Sequence, residues 1–498
     1  TGNGDTMDQA VDNKTIATRP ALSESEKNTI IAGVLLSMLL AALDQAIVAP
    51  AMPTIGAALG HANYLPWIVT GYLLTATAMA PLYGRISDVY GRRPTIYAAI
   101  VIFLAGSLIS ALAPNMAVLV IGRAVQGVGG GGLFALSQTV IGDLVPPMER
   151  ARYAAWISGT WAVASIAGPL LGGIFAEHLH WSLIFWINLP LGALAMIIIN
   201  NPLKKLPVAA KDHSIDGWGA AVLVAATALL LLAFNWGGST YPWASPEILG
   251  LLGASALCWA GFAARLLNAA EPLISLEVLS NRIVLTGTFS MFLLQAASIG
   301  LSVYLPVYLQ FVLGLTAGES GMAMLGLLLG TVAGATTSGK LVPRFVHYKR
   351  IALAGIAFAI VCLGALVPLA GSASLATVEV LTAMVGIGMG TSFPVATVSV
   401  QNAVDYAHLG VATGVLTFLR SLGGALGVAA LGAIALGYHL PLAGEGMANA
   451  AGQVREGVTF GVIFLAAAIM LAGSLLILLL MPEKPLRGRA PADAPMVE

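Results

Sequence analysis

Apolar residues run in long blocks separated by short polar or Gly/Pro-rich stretches. Roughly 20 apolar helical residues span the ~30 Å hydrocarbon layer of a bilayer, so each block predicts a membrane-crossing helix. The first seven predicted spans cover residues 29–55, 64–83, 94–113, 115–142, 153–176, 183–201 and 217–236. The other seven cover 247–266, 283–312, 318–339, 351–370, 374–403, 410–437 and 457–481. The expectation is an all-α integral membrane protein with fourteen transmembrane helices.

Lysines and arginines test that count independently, because they collect in alternate loops on the inner side. With both termini inside, 20 of the 23 basic residues fall in inner segments. They are Lys14, Arg19 and Lys27; Arg85, Arg92 and Arg93; Arg150 and Arg152; Lys204, Lys205 and Lys211; Arg265 and Arg282; Lys340, Arg344, Lys349 and Arg350; Lys484, Arg487 and Arg489. Arg455 alone is outside, and Arg123 and Arg420 lie within spans. A different helix count would scramble the alternation.

Composition agrees: 58% of the 498 residues are hydrophobic and 9% charged, far too few charges to cover a water-facing surface. The formal net charge is zero, so nothing points to nucleic acid as a partner. Cys258 and Cys362 lie inside apolar blocks and form neither a disulfide framework nor a metal motif. The run GVGGGG at 127–132 lacks the Gly-Lys-Ser/Thr of a phosphate-binding loop and reads as close helix packing through small residues. No catalytic constellation appears, which argues against an enzyme. The first 28 residues are polar, with no signal-peptide core, and predict a cytoplasmic tail.

The loop after the second span reads GRISDVYGRRP from Gly84 to Pro94. Gly84 and Gly91 permit close helix approach, and Asp88 sits among Arg85, Arg92 and Arg93, a cluster able to latch and release helix ends. A degraded copy, GKLVPRFVHYKR, starts at Gly339, with Pro343 and Val346 in place of the acid and second glycine. The spacing closely resembles the signature loop of the major facilitator superfamily. Two copies imply two six-helix halves, and internal repeats are common in transporters. The expected division is a tail at 1–28, a six-helix bundle at 29–201, a linker carrying two inserted helices at 202–282, a second bundle at 283–481 and a tail at 482–498.

Further motifs narrow the resemblance. LDQAIVAPAMP (43–53), GRAVQG (122–127) and SIAGPLLGG (165–173) are similar to motifs of the 14-helix drug:proton antiporters. Ala164 replaces the first glycine of the third, and HWSLIFWINLP (180–190) matches its counterpart only in part, with Ser182 and Leu183 where the family has Arg and Trp. The resemblance implies a conformational gate at Gly84, Asp88, Gly91, Arg92 and Arg93, and at Gly168 and Pro169 in the fifth span. It also implies a bacterial inner-membrane antiporter with both termini cytoplasmic, exporting a lipophilic, cationic drug or toxic compound. The alternatives are export of a lipid, fatty acid or endogenous metabolite, and nutrient symport.

Asp44 is the central candidate. A carboxylate inside an apolar span costs at least about 2.5–3.5 kcal/mol and is kept for function. At ~1.5 Å per residue it lies roughly 22 Å in from the cytoplasm, and Arg123, in the fourth span, lies about 18 Å in, at similar depth. The pair predicts a switchable proton site, with Glu379 as a second. Gln126, Gln295 and Arg420 reach the midplane and Trp161, Tyr304 and Tyr308 offer aromatic faces, so these six are the candidate substrate-binding residues. Expected partners are the bilayer, protons and a small lipophilic solute, with a periplasmic adaptor protein as a further candidate. No cofactor is expected, since the proton gradient drives the cycle.

Overall fold

The computed structural model describes residues 23–60, 65–204, 216–238, 240–269, 272–315, 317–405, 408–437 and 450–486. Most of both predicted tails, with Lys14, Arg19, Arg487 and Arg489, and the linker residues Lys205 and Lys211 lie outside them. In chain order the long helices are α1 (Glu24–Leu59), α2 (Leu65–Tyr90), α3 (Arg92–Ala111), α4 (Met116–Leu144) and α5 (Pro147–His178). Next come α6 (Leu183–Trp186 continuing as Asn188–Leu203), α7 (Gly217–Trp236), α8 (Pro246–Asn268), α9 (Arg282–Phe311) and α10 (Ala317–Ala323 continuing as Leu325–Leu341). The last are α11 (Lys349–Leu369), α12 (Leu375–Gly390 continuing as Ser392–Ala403), α13 (Leu409–Gly437) and α14 (Ala450–Leu480). They correspond one for one to the fourteen predicted spans.

Thirteen of these helices are long and apolar enough to cross a membrane. Within its span α2 carries Thr70, Tyr72, Thr75 and Thr77, and at its basic end Arg85 and Asp88. Much of that polarity is turned inward rather than toward lipid: Tyr72 and Thr77 are buried and Thr75 donates to the Ala124 carbonyl of α4. Helix starts follow capping chemistry, as where Asn115 accepts from the Val118 amide and Ser374 from the Thr377 amide.

Packing is intimate because small residues let backbones touch, the main source of helix association where lipid is as apolar as the helices. A side chain at Gly131 would strike the Ala76 carbonyl of α2, and one at Gly129 the backbone of Ala99 and Phe103 in α3. The GVGGGG run is therefore a packing device holding α2, α3 and α4 together. In the first half α1 lies along α5, and in the second α9 lies along α13 and α14 while α10 lies along α12. Buried apolar residues form two clusters in the first half and one large cluster in the second that also takes in the inserted pair.

The inserted helices bridge the halves. Arg265 Nε lies 3.1 Å from Asp216 Oδ1, tying the ends of α7 and α8. Trp236 of α7 stands edge-on to Trp67 of α2 with ring centres 5.7 Å apart, and Asn235 donates to Thr70 at 3.0 Å. Trp259 of α8 meets Phe418 of α13 at 6.3 Å.

Candidate functional site

Asp44 is fully buried at the meeting point of α1, α3, α4 and α6. Its Oδ2 accepts from Arg123 Nη1 at 2.5 Å, and its Oδ1 from Gln126 Nε2 at 2.7 Å and Asn188 Nδ2 at 2.8 Å. Gln126 and Asn188 also donate to Ser107 Oγ, at 2.7 and 3.1 Å. Arg123 spends its remaining capacity locally: Nε donates to the Ile68 carbonyl at 2.9 Å, Nη1 to Gln126 Oε1 at 2.6 Å, and the guanidinium sits 4.5 Å from the Tyr72 ring centre. A buried charge is tolerable when paired and saturated with hydrogen bonds.

The elements explain the assembly. Arg123 and Gln126 are three residues apart and so share a face of α4. Gly168 and Gly172 of α5 admit α1 so closely that side chains there would run into Ala46 and the Ile47 carbonyl, just past Asp44. At the motif where a gate is expected, Gly168 grips α1 within its own half, and Pro169 is exposed. Sequence reasoning paired Asp44 with Arg123 but expected Gln126 at the solute site rather than here, and it missed Asn188 and Ser107. The available signal was an amide inside the apolar stretch of HWSLIFWINLP.

A second polar assembly lies at the end of the bundle carrying the basic loops. Arg92 donates to Asp88, to Ser87 Oγ at 2.6 Å and to Asp143 Oδ2 at 2.6 Å, the last a partner the sequence did not flag. Asp88 in turn accepts the Gly410 and Val411 amides at 3.2 and 2.9 Å, capping the start of α13 in the opposite half. Burial pushes the Asp88 carboxyl above its usual range, against the pull of Arg92 and the Val411 amide. Gly84 is required there, because a side chain would meet the Gly410 carbonyl. Gly91 adopts φ +91° at the start of α3, a conformation that favours glycine. Arg93 is not in this latch: it donates to Asn200 at 3.1 Å and binds α3 to α6. Gln401 of α12 adds a second link between halves, donating to Thr413 Oγ1 at 3.2 Å and to the Gln138 carbonyl of α4 at 3.4 Å. The basic end is thus closed.

The remaining candidates do not join Asp44. Tyr308 is fully buried, its ring edge-on to Phe460 and Phe464 of α14 at 5.3 and 5.2 Å, and Tyr304 packs against Gly432 of α13. In this conformation both rings are buried in helix contacts. Trp161 is half-buried and stacked on Phe134 at 5.1 Å. Glu379 is half-buried near the outer part of α12, beside α10, and far along the chain's path from the Asp44 group. Gln295 and Arg420 lie on neighbouring helices α9 and α13 in the second half.

The family model described as Major Facilitator Superfamily matches residues 34–428. The Multidrug transporter protein MdtP of Bacillus subtilis is 32% identical over 420 residues, 82% of this chain and 76% of that protein. Multidrug resistance protein 3 of the same species is 32% identical over 405 residues, 81% of this chain and 79% of its own length. An uncharacterized MFS-type transporter of Mycobacterium tuberculosis is 32% identical over 84% of the chain, which spans only 61% of that relative. Among solved structures, the proton:xylose symporter XylE is similar with TM-score 0.62 at 16% identity, over 93% of this chain and 98% of that one. The human organic anion transporter MFSD10 is similar with TM-score 0.61 at 18% identity, over 89% and 99%. These two likenesses establish the fold alone. With its two six-helix halves, inserted helix pair and family match over most of its length, this multi-pass membrane transporter belongs to the major facilitator superfamily.

Proposed function

We propose that the protein is a proton-coupled efflux transporter for lipophilic compounds, with Asp44 as the proton carrier. The observation that carries this reading is the sealed group of Asp44, Arg123, Gln126, Asn188 and Ser107. A carboxylate so far from water has little structural reason to be there, and its arginine partner is held by separate contacts that persist if Asp44 is neutralised. An outside proton reaching Asp44 cancels its charge, loosens α1 from α4 and α6, and favours rearrangement of the first half. Loss of the proton to the cytoplasm restores the pair.

The basic end is the cytoplasmic one by the positive-inside rule, in a bacterial cytoplasmic membrane with both termini inside. Closed there by Asp88 and Gln401, this conformation faces outward. Each proton charge moved inward contributes about 2.3 kcal/mol per 100 mV of membrane potential. That sustains a solute gradient of more than roughly tenfold per proton. The Bacillus relatives named for multidrug transport and resistance support export as the direction.

The test is proton movement in proteoliposomes holding a pH gradient, on adding ethidium, for wild type and Asp44→Asn. Solute-linked proton movement present in the wild type and absent in Asp44→Asn is the expected result. Movement retained in Asp44→Asn moves the proton site elsewhere, with Glu379 the next candidate.

A further inference from the structure

The second half contains a guanidinium that no described residue answers. Arg420 lies roughly 17 Å along α13 from its start at Leu409, near the middle of the span. On its helix face Leu409, Thr413, Leu416, Gly424, Gly427 and Leu431 are buried, and Arg420 alone is partly exposed. Toward the outer side this face packs on α9, Gly424 against Gln295 and Ile299, and Gly427 against Ala296. Toward the basic end it meets Gln401 of α12, and Leu409 meets Gly142 of the opposite half. The side chain therefore stands on the face of α13 turned toward α9 and α12, above the closure. No residue from 409 to 435 is exposed, so Arg420 has no lipid-side route to the bilayer surface.

Among the described residues no hydrogen bond, ion pair or carboxylate acts on Arg420. Two neighbours are also unsatisfied: Thr417 Oγ1, one turn below on α13, and Gln295 Oε1, one turn above on α9, are buried without partners. An arginine does not shed its proton, so it stays charged at any working pH. A buried charge without a counter-charge is costly, and here the counter-charge must come from outside the chain. A bare guanidinium beside an unsatisfied hydroxyl offers several donors and no negative group, the complement of an oxyanion.

We infer that Arg420, with Thr417, binds the anionic head of a lipophilic carboxylate, sulfonate or phosphate. The site is the mirror of a cation pocket: the Asp44 carboxylate is already occupied by three donors, while at Arg420 a positive group stands open. That the anion is exported rests on the efflux reading above; that it binds does not.

The probe is 11-(dansylamino)undecanoate, a lipophilic carboxylate whose emission rises on leaving water, with ethidium as the cationic control. Binding is measured in nanodiscs of zwitterionic lipid for wild type, Arg420→Gln, Arg420→Lys and Thr417→Val, each first shown to be monodisperse. Charge-assisted hydrogen bonds of this kind predict about ten- to hundredfold weaker carboxylate binding in Arg420→Gln. Arg420→Lys retains part of the affinity, Thr417→Val loses a few-fold, and ethidium binding is unchanged or tighter in Arg420→Gln. Equal carboxylate affinity in wild type and Arg420→Gln overturns the inference.

Everted vesicles with an imposed pH gradient separate it from the efflux reading. Gradient-driven ethidium accumulation without Arg420-dependent carboxylate binding sinks the anion site and leaves efflux standing. Arg420-dependent binding with no accumulation of either probe sinks efflux and leaves the site. Binding abolished by adding phosphatidylglycerol, again without carboxylate accumulation, identifies a membrane lipid head group as the occupant and overturns the assignment to an exported solute.

Discussion

Arg123 and Arg420 are the same side chain at comparable depth in the two halves, and they are treated in opposite ways. Arg123 is fully buried, with a carboxylate, a backbone carbonyl, an amide oxygen and an aromatic face around it. Arg420 is half-buried and has none of these. A buried cation is an element of structure once its partners are built in, and a binding element when they are left out. The first half therefore carries a closed circuit, the proposed proton site, and the second carries an open terminal.

The largest test of that difference is stability. Arg123→Gln strands the Asp44 charge and should cost about 3–5 kcal/mol, as removal of one partner of a buried pair does. Arg420→Gln removes an uncompensated charge and should leave thermal stability unchanged or raise it. Melting in detergent with a fluorescent thiol-independent dye reads both. A similar loss from the two substitutions would erase the distinction drawn between the arginines.

Next in size is the proton circuit. Asp44→Asn keeps shape but removes the titrating group, and gradient-driven transport should fall by two orders of magnitude or more, on the scale of about 3 kcal/mol. Energy-independent exchange of solute should persist, which distinguishes lost coupling from a broken fold. Asn188→Ala then sharpens the boundary of the circuit. It removes one donor from Asp44 and from Ser107 and should cost about 1–3 kcal/mol, read as a shifted pH profile of transport rather than a loss of expression. An unshifted profile would place Asn188 outside the circuit.

The smallest effect concerns the closure beneath both arginines. Gly84→Ala puts a methyl against the Gly410 carbonyl, and Asp88→Asn weakens the cap on α13. Both should shift the population toward a conformation open at the basic end, by roughly 1 kcal/mol for the weakened cap. Faster alkylation of a cysteine placed at Thr413, measured from the basic side, checks it, and unchanged alkylation would mean that the latch carries no weight.

Much of this architecture was readable because lipid imposes a plain rule on each helix separately. Block length and the alternation of arginines and lysines gave the spans, and helical rise placed Asp44 opposite Arg123 before any contact was known. The polar residues of α2 belong to contacts with α4 and α7, which hydropathy along one helix does not record. The missed residues share a different cause. Asn188 meets Asp44 across 144 positions and Ser107 across 81, and Asp143 meets Arg92 across 51. Such pairings depend on how helices rotate against one another, which no local pattern records. The burial of Tyr304 and Tyr308 was hidden for the same reason, since an aromatic ring reads alike whether it faces a cavity or the next helix. Arg420 was visible as an in-span charge, but its lack of partners was visible only in three dimensions.

The central claim, that the proton site and the solute site lie in different halves, is tested most directly by counting protons released when a solute binds. Purified protein in weakly buffered detergent solution with a pH indicator would be given ethidium or 11-(dansylamino)undecanoate, for wild type, Asp44→Asn and Arg420→Gln. The account predicts a proton change on binding in the wild type that vanishes in Asp44→Asn. It also predicts that Arg420→Gln loses the carboxylate response while keeping the one to ethidium. A proton change that survives in Asp44→Asn, or one lost for both solutes in Arg420→Gln, would contradict it.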